Sequence, residues 1–386
     1  MAGIATRIRN KVRREASLMK LLWQKRKINR SDPNYGLERV VEGFKDHKDP
    51  NFKSNPAFIS RIIKSYNLAK KDQVGLDARF QVGDEWIGIY KQHMGKAMQA
   101  LTDGDVNKVA AIYENFFRES CSVGLHGIGG DMTKRYYGNS ISLKDKLVYI
   151  SDVLHRYRMW RSLVGPHVPV DALETPLIGN PYGYKLDGKF IRATADYLHF
   201  YATQIGRLLS DESGRKAVME IGGGFGGMAY FLVRDNPDIS YVDVDLPENM
   251  ALTAYYLMHA FPDKKILLYG EGEITREAIH NHDIVLLPNF SITSLPNQSA
   301  NLVFNSYSLA EMSPGTIELY INEMMRITTS YFYHINHNKT STVVADNFNV
   351  DLNKFYLMYK IPCLWNMGRN LEMDEYEYLY KKFSKG

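Results

Sequence analysis

The stretch Lys216-Ala-Val-Met-Glu220-Ile-Gly222-Gly-Gly224-Phe-Gly226-Gly227-Met-Ala-Tyr-Phe-Leu-Val-Arg234 packs a strand, a turn and a helix into one short run. Ala217–Ile221 is apolar and short enough for a buried strand. Five glycines follow, and they let the backbone turn sharply and let a ligand approach the main chain with no Cβ in the way. Gly227 to Arg234 then reads as an apolar helix. Downstream the same alternation repeats: strands at Ser240–Val244, Ile266–Tyr269, Ile284–Leu287, Leu302–Phe304 and Tyr331–Ile335, with helices at Asn249–Phe261 and Ile317–Ile327. Phe355–Pro362 and Tyr376–Tyr380 are set to close the sheet as an antiparallel pair. Such alternation predicts an α/β, Rossmann-like domain with a mostly parallel sheet and helices on both faces.

Upstream the texture is different. Residues 35–165 read as helices separated by Gly and Asp, with Asn55-Pro56, Asp105 and Ser142 as helix starts. Pro166, Pro169, Pro176, Gly179, Pro181 and Gly183 mark a loop or linker. The expected division is therefore a basic arm over 1–34, a helical substrate or oligomerisation domain with its linker over 35–190, and the α/β domain over 191–386.

The net charge is +5, yet residues 1–30 alone carry +9 and leave the remainder at −4. An acidic body with a basic arm is no nucleic-acid-binding profile. As an amphipathic helix the arm can rest on an anionic membrane surface, or it can pack on its own subunit or on a neighbouring copy in a homo-oligomer. The only cysteines, Cys121 and Cys363, are far apart and lack a metal-ligand spacing. With no disulfide framework and no secretory leader the expectation is a cytoplasmic protein, peripheral at most to the inner face of the membrane. No compact carboxylate cluster suggests a metal site.

The glycine string satisfies two templates. Gly222, Gly224 and Gly227 fit the dinucleotide pattern G-x-G-x-x-G, with Asp243 and Asp245 about twenty residues on. Glu220, Gly222, Gly224 and Gly226 fit the acid-x-G-x-G-x-G pattern of methyltransferases. Two neighbours separate them. A carboxylate at Glu220, two residues before the first glycine, would repel a pyrophosphate, whereas S-adenosylmethionine is cationic at its sulfonium and amino groups. Asp245-Leu246-Pro247 then places a second carboxylate where it can accept both ribose hydroxyls. An NAD-dependent oxidoreductase and a non-catalytic scaffold of the same fold remain as competing readings.

Further segments occur in order: Tyr241-Val-Asp-Val-Asp245-Leu-Pro247-Glu, Leu268-Tyr-Gly-Glu-Gly272, Leu286-Leu-Pro288-Asn289-Phe290 and Asn305-Ser-Tyr-Ser308-Leu-Ala-Glu311-Met312. With the glycine cluster, Gln81-Val-Gly83-Asp-Glu-Trp86 and Gly179-Asn-Pro-Tyr182, they resemble a bacterial family of sugar O-methyltransferases, class I enzymes dependent on S-adenosylmethionine. The likeness covers most of residues 75–385. It implies O-methylation of a sugar hydroxyl on a glycan, nucleotide sugar or glycosylated metabolite, in polysaccharide or natural-product biosynthesis; a non-sugar natural product is the alternative acceptor. Carried over by position, Glu220, Gly222, Gly224 and Gly226 shape the methionine end of the cofactor site and Asp245 holds the ribose, with Leu246 and Asn305 beside them. The place where many class I enzymes carry an acid for the adenine amino group holds Asn289, whose side-chain oxygen can accept the same bond.

A sugar hydroxyl is a poor nucleophile at neutral pH, so a general base is expected. In an open α/β sheet the site lies beyond the carboxyl ends of the strands. His337, just past Tyr331–Ile335, is the first choice; Glu311 is the rival and His334 a third candidate. Tyr182, His199, Tyr201, Ser308 and Asn336 are the candidate substrate contacts.

Overall fold

A computed structural model of the chain describes residues 2–125, 141–339, 341, 343–366 and 373–383. Its centre is an eight-stranded sheet built from β3 (Lys216–Ile221), β4 (Ile239–Asp245), β5 (Ile266–Leu268), β6 (Ile284–Pro288), β7 (Ala300–Ser306), β8 (Thr328–His337), β9 (Phe355–Pro362) and β10 (Glu375–Lys382). A small hairpin, β1 (Gly183–Leu186) with β2 (Lys189–Arg192), precedes it. The order in the large sheet is β5-β6-β4-β3-β7-β8-β10-β9. From β5 to β8 every pairing is parallel, and β10 runs antiparallel to both β8 and β9.

Leaving aside the edge strand β5, the run β6-β4-β3-β7-β8 has the third-second-first-fourth-fifth order of a doubly wound sheet. The expected Rossmann-like domain with a mostly parallel sheet is present, preceded by a helical region. The antiparallel β10, where a dinucleotide fold has a sixth parallel strand, departs from the NAD-binding architecture. The reversal of strand order falls at β3, so the crevice opens above β3, β4 and β7.

Alternate residues of the buried strands feed two cores, as the two-residue period of a strand requires. Val218, Tyr241, Leu286 and Phe304 face one side, with helices Ala195–Leu208, Gly227–Asp235 and Pro247–Ala260. Met219, Val242, Val244 and Val303 face the other, with helix Pro314–Ile327. The N-terminal helices share the first core: Ile59, Ile62 and Tyr66 of helix Pro56–Gln73 belong to the same apolar cluster as Tyr255 and Met258. Among the described residues, these helices and that face of the sheet share one apolar cluster.

Local rules account for the helix ends. Asn55 accepts from the Ala57 N–H, Asp105 from Lys108, and Ser142 from Asp145. The helix that Asp105 caps spans Val106–Tyr113, and a short 3-10 turn at Phe116–Arg118 follows it. The arm forms helix Ala2–Arg30 and packs one face on helix Leu143–Val164, where Asn29 Nδ2 donates to Ser151 Oγ at 2.9 Å and Lys144 pairs with Glu15. Val12, Met19 and Trp23 of the same helix are exposed. No helix among the described residues is long and apolar enough to cross a membrane.

Candidate functional site

A cavity of about 890 Å³ lies beyond the carboxyl ends of β3, β4 and β7. Its floor is the turn after β3. Gly222 and Gly224 there have φ of 78° and 64°, a region in which side chains other than glycine are strained. A Cβ on Gly222 would also come within 2.7 Å of Ser308 Cβ. Both positions therefore require glycine.

The turn satisfies its own donors. The Gly222 N–H donates to the Val244 carbonyl at 3.0 Å and that of Gly226 to the Gly223 carbonyl at 3.0 Å. The Gly223 N–H donates to Asp243 Oδ1 at 3.0 Å and the Gly224 N–H to Asp245 Oδ2 at 3.1 Å. A phosphate site needs such N–H groups free to point at the ligand. Here four are already committed, two of them to carboxylates.

Glu220, Asp243 and Asp245 form a buried acidic group around this turn. Burial pushes the Glu220 carboxyl up to about 7, opposed by the Tyr241 hydroxyl, which donates to Glu220 Oε2 at 2.6 Å. Burial pushes Asp245 up to about 6, against bonds from Asn249 Nδ2 at 3.0 Å, the Leu246 N–H at 2.7 Å and the Gly224 N–H. Asp243 is raised further, by burial and then by Asp245 and Glu220, and its Oδ2 has no partner among the described residues. Desolvated carboxylates so close together disfavour further negative charge and favour a cation.

At the far end Asn289 Nδ2 donates to the Phe80 carbonyl at 3.0 Å, while its buried Oδ1 has no partner among the described residues. An unsatisfied buried acceptor is costly, and this one belongs to a residue of the cavity wall. Asn249 Oδ1 is in the same condition on the same wall.

The cavity wall also carries aromatic and charged side chains: Trp86, Arg156, Tyr197, Tyr307, Glu311 and Trp365. Glu311 Oε2 accepts from the Trp86 indole N–H at 2.8 Å. Tyr307 and Thr194, both on this wall, have φ of 66° and 71°. Backbone strain of this kind clusters at ligand sites.

Of the residues singled out from sequence, Glu220, Gly222, Gly224, Asp245, Leu246, Asn289, Ser308 and Glu311 line the cavity. Gly226 lies behind it as the left-handed N-cap of helix Gly227–Asp235. Asn305 and Asn336 are fully buried and form a brace: Asn336 Nδ2 donates to Asn305 Oδ1 at 2.9 Å, and Asn305 Nδ2 to the Ile221 carbonyl at 2.9 Å. They hold the ends of β3, β7 and β8 in register and touch no cavity space. His334 is buried and stacked on Tyr378 at 4.6 Å; burial lowers it to about 3, so it stays neutral.

His199 accepts from Trp160 Nε1 at 3.1 Å, Tyr201 donates to Glu377 at 2.7 Å, and Tyr182 stacks on Phe44 at 4.9 Å. All three belong to the core and not to the cavity wall. His337 is also off the wall, its Nδ1 3.2 Å from Asp374 and its ring tilted against Tyr307 at 5.6 Å. Among the described residues no group of three His, Cys, Asp or Glu side chains is placed to hold a metal ion.

No protein-family model and no curated protein matches the chain. Solved structures match it at low similarity. The pyocyanin biosynthetic protein PhzM is 10% identical with a TM-score of 0.31, the match covering 50% of this chain and 56% of PhzM, so the chain spans little more than half of that protein. A SAM dependent methyltransferase from Aquifex aeolicus is 11% identical at a TM-score of 0.30, covering 47% of this chain and 89% of that one. The N-methyltransferase NodS from Bradyrhizobium japonicum WM9, in complex with S-adenosyl-L-homocysteine, is 10% identical at 0.32, covering 59% and 99%. At these values no residue role or substrate passes from them to this chain.

Proposed function

We propose that the chain is an S-adenosylmethionine-dependent methyltransferase that methylates a hydroxyl oxygen of a sugar-containing acceptor. The observation that carries the cofactor is the acid-bonded glycine turn. Two of its N–H groups are spent on Asp243 and Asp245 and two on backbone carbonyls, and Glu220 stands beside it, so the floor suits a cation and opposes a pyrophosphate. The residues present fit S-adenosylmethionine along the length of the cavity. Glu220 would face its ammonium and sulfonium end, Asp245 would accept the ribose hydroxyls, and the unpartnered Asn289 Oδ1 would accept the adenine amino group.

When bound, that cofactor supplies an electrophilic methyl group on sulfur. The chain's own part is to align the acceptor and take its proton. Alignment can account for much of the rate in a two-reactant displacement, and the strained Thr194 and Tyr307 backbones lie where such alignment is needed. Glu311 is the base this geometry supports, because its carboxylate lines the cavity and is held by Trp86. Glu311 would accept the proton that the acceptor hydroxyl loses on methylation. The aromatic faces of Trp86, Tyr197 and Trp365 suit the apolar faces of a sugar ring, and the family-like motifs favour the same acceptor.

Calorimetry with S-adenosylhomocysteine and with NAD tests the cofactor; the first binds and the second does not, and the reverse overturns the reading. Transfer of tritium from labelled cofactor to a panel of nucleotide sugars, glycans and phenols tests the acceptor. Labelling of phenols alone would replace the sugar by a non-sugar natural product.

A further inference from the structure

The segment Gln81-Val-Gly83-Asp-Glu-Trp86 lies far from the sheet in sequence, yet Gln81, Val82, Gly83 and Trp86 all line the cavity. We propose that Trp86 is a positioning residue for the reaction: its indole N–H fixes the Glu311 carboxylate and favours its charged, proton-accepting form. This rests on the reading of Glu311 as the base.

Three contacts define the device. The indole Nε1 donates to Glu311 Oε2 at 2.8 Å, a charge-assisted bond across 225 positions of sequence. The ring is wedged, with Tyr90 edge-on at 5.7 Å, and a Cβ placed on Gly124 would come within 3.3 Å of its far edge. The segment also rests on the backbone that carries the carboxylate, since a Cβ on Gly83 would sit 3.8 Å from the Glu311 carbonyl oxygen. The indole is thus held by its own neighbours and transfers that rigidity to one carboxylate oxygen. A donor that bonds the charged form of an acid lowers its pKa. Phe80, one residue before the segment, accepts the Asn289 Nδ2 bond. The same stretch of chain thus braces the adenine end and the proton-accepting end of one cavity.

Trp86→Phe keeps the ring and removes the donor, and two readouts test it. The first needs no acceptor. Tryptophan emission of the full chain, titrated from pH 4 to 8, should show a step that is lost in both Trp86→Phe and Glu311→Gln. A step that persists in either variant overturns the coupling. The second uses whichever acceptor the labelling panel identifies. Trp86→Phe should lower kcat roughly 10- to 100-fold, leave the Kd for S-adenosylhomocysteine and the acceptor KM within about threefold, and move the acidic limb of the kcat–pH profile upward. In a Glu311→Gln background it should cost nothing more. Unchanged kcat, or a loss matched by lost cofactor affinity, overturns the positioning role. Full turnover in Glu311→Gln instead overturns the base itself, which separates the two failures.

Discussion

Asp245→Ala removes one side chain that joins the turn, the helix start and the cavity. Its carboxylate accepts from the Gly224 and Leu246 N–H groups and from Asn249 Nδ2, and it lines the cavity. Ligand hydroxyls bonded to a charged acceptor contribute about 1.5–3 kcal/mol, so the expected loss is roughly 10- to 150-fold in the Kd for S-adenosylhomocysteine. The effect on folding is smaller, because two opposing terms meet. Three donors lose their acceptor, which destabilises. One of several crowded carboxylates disappears, and burial had already raised its pKa to about 6, which relieves a cost. Isothermal calorimetry reads the affinity, and the thermal midpoint without ligand reads the fold. A folded Asp245→Ala protein that binds S-adenosylhomocysteine as tightly as the parent would remove the carboxylate from the ligand and refute the orientation of the cofactor along the cavity.

Cofactor affinity should also depend on pH through Glu220. Its folded value of about 7 lies above its ordinary 4.5, so the stability it gives the empty protein is full below about 4.5 and is lost as pH rises through about 7. A cationic ligand favours the ionised form, so S-adenosylmethionine binding should strengthen from pH 6 to 8 and release protons; calorimetry in buffers of different ionisation enthalpy measures this, and an identical profile in Glu220→Gln would exclude Glu220 as the source. His337→Ala should keep turnover within about threefold and lower the thermal midpoint, since the ring packs on Tyr307 beside Asp374. A hundredfold loss with intact cofactor affinity would make the histidine the base after all.

The sheet was legible because buried parallel strands read as short apolar runs, and the turns between them carry Gly, Asp and Pro. The hairpin β1–β2 was not read, although Asp187-Gly188 is a strong two-residue turn signal between Tyr184-Lys-Leu186 and Lys189-Phe-Ile. Both turn residues have positive φ, 45° and 87°, as a type I′ turn requires. The surrounding prolines masked the alternation and made the region look like a linker.

Within the site the legible residues are those fixed by local geometry. Glu220 sits at a set offset before the turn, Asp245 at the end of β4 and Asn289 just after β6, so strand boundaries alone bring them together. Trp86, Arg156, Tyr197 and Trp365 reach the same cavity from elements whose packing no local pattern reports. His337 shows where the strand-end rule needs a second condition. Residues at or just past the carboxyl ends of β3, β4, β6 and β7 line the cavity, and those at the end of β8 do not. β8 lies one strand further out, and β10 pairs along it so that Glu375 is the register partner of His337 and Asp374 stands beside the ring. The antiparallel strand that separates this sheet from a dinucleotide fold pairs along β8 to its carboxyl end, off the cavity wall. Under the function proposed above, proton transfer then falls to the loop after β7, where Glu311 lines the cavity.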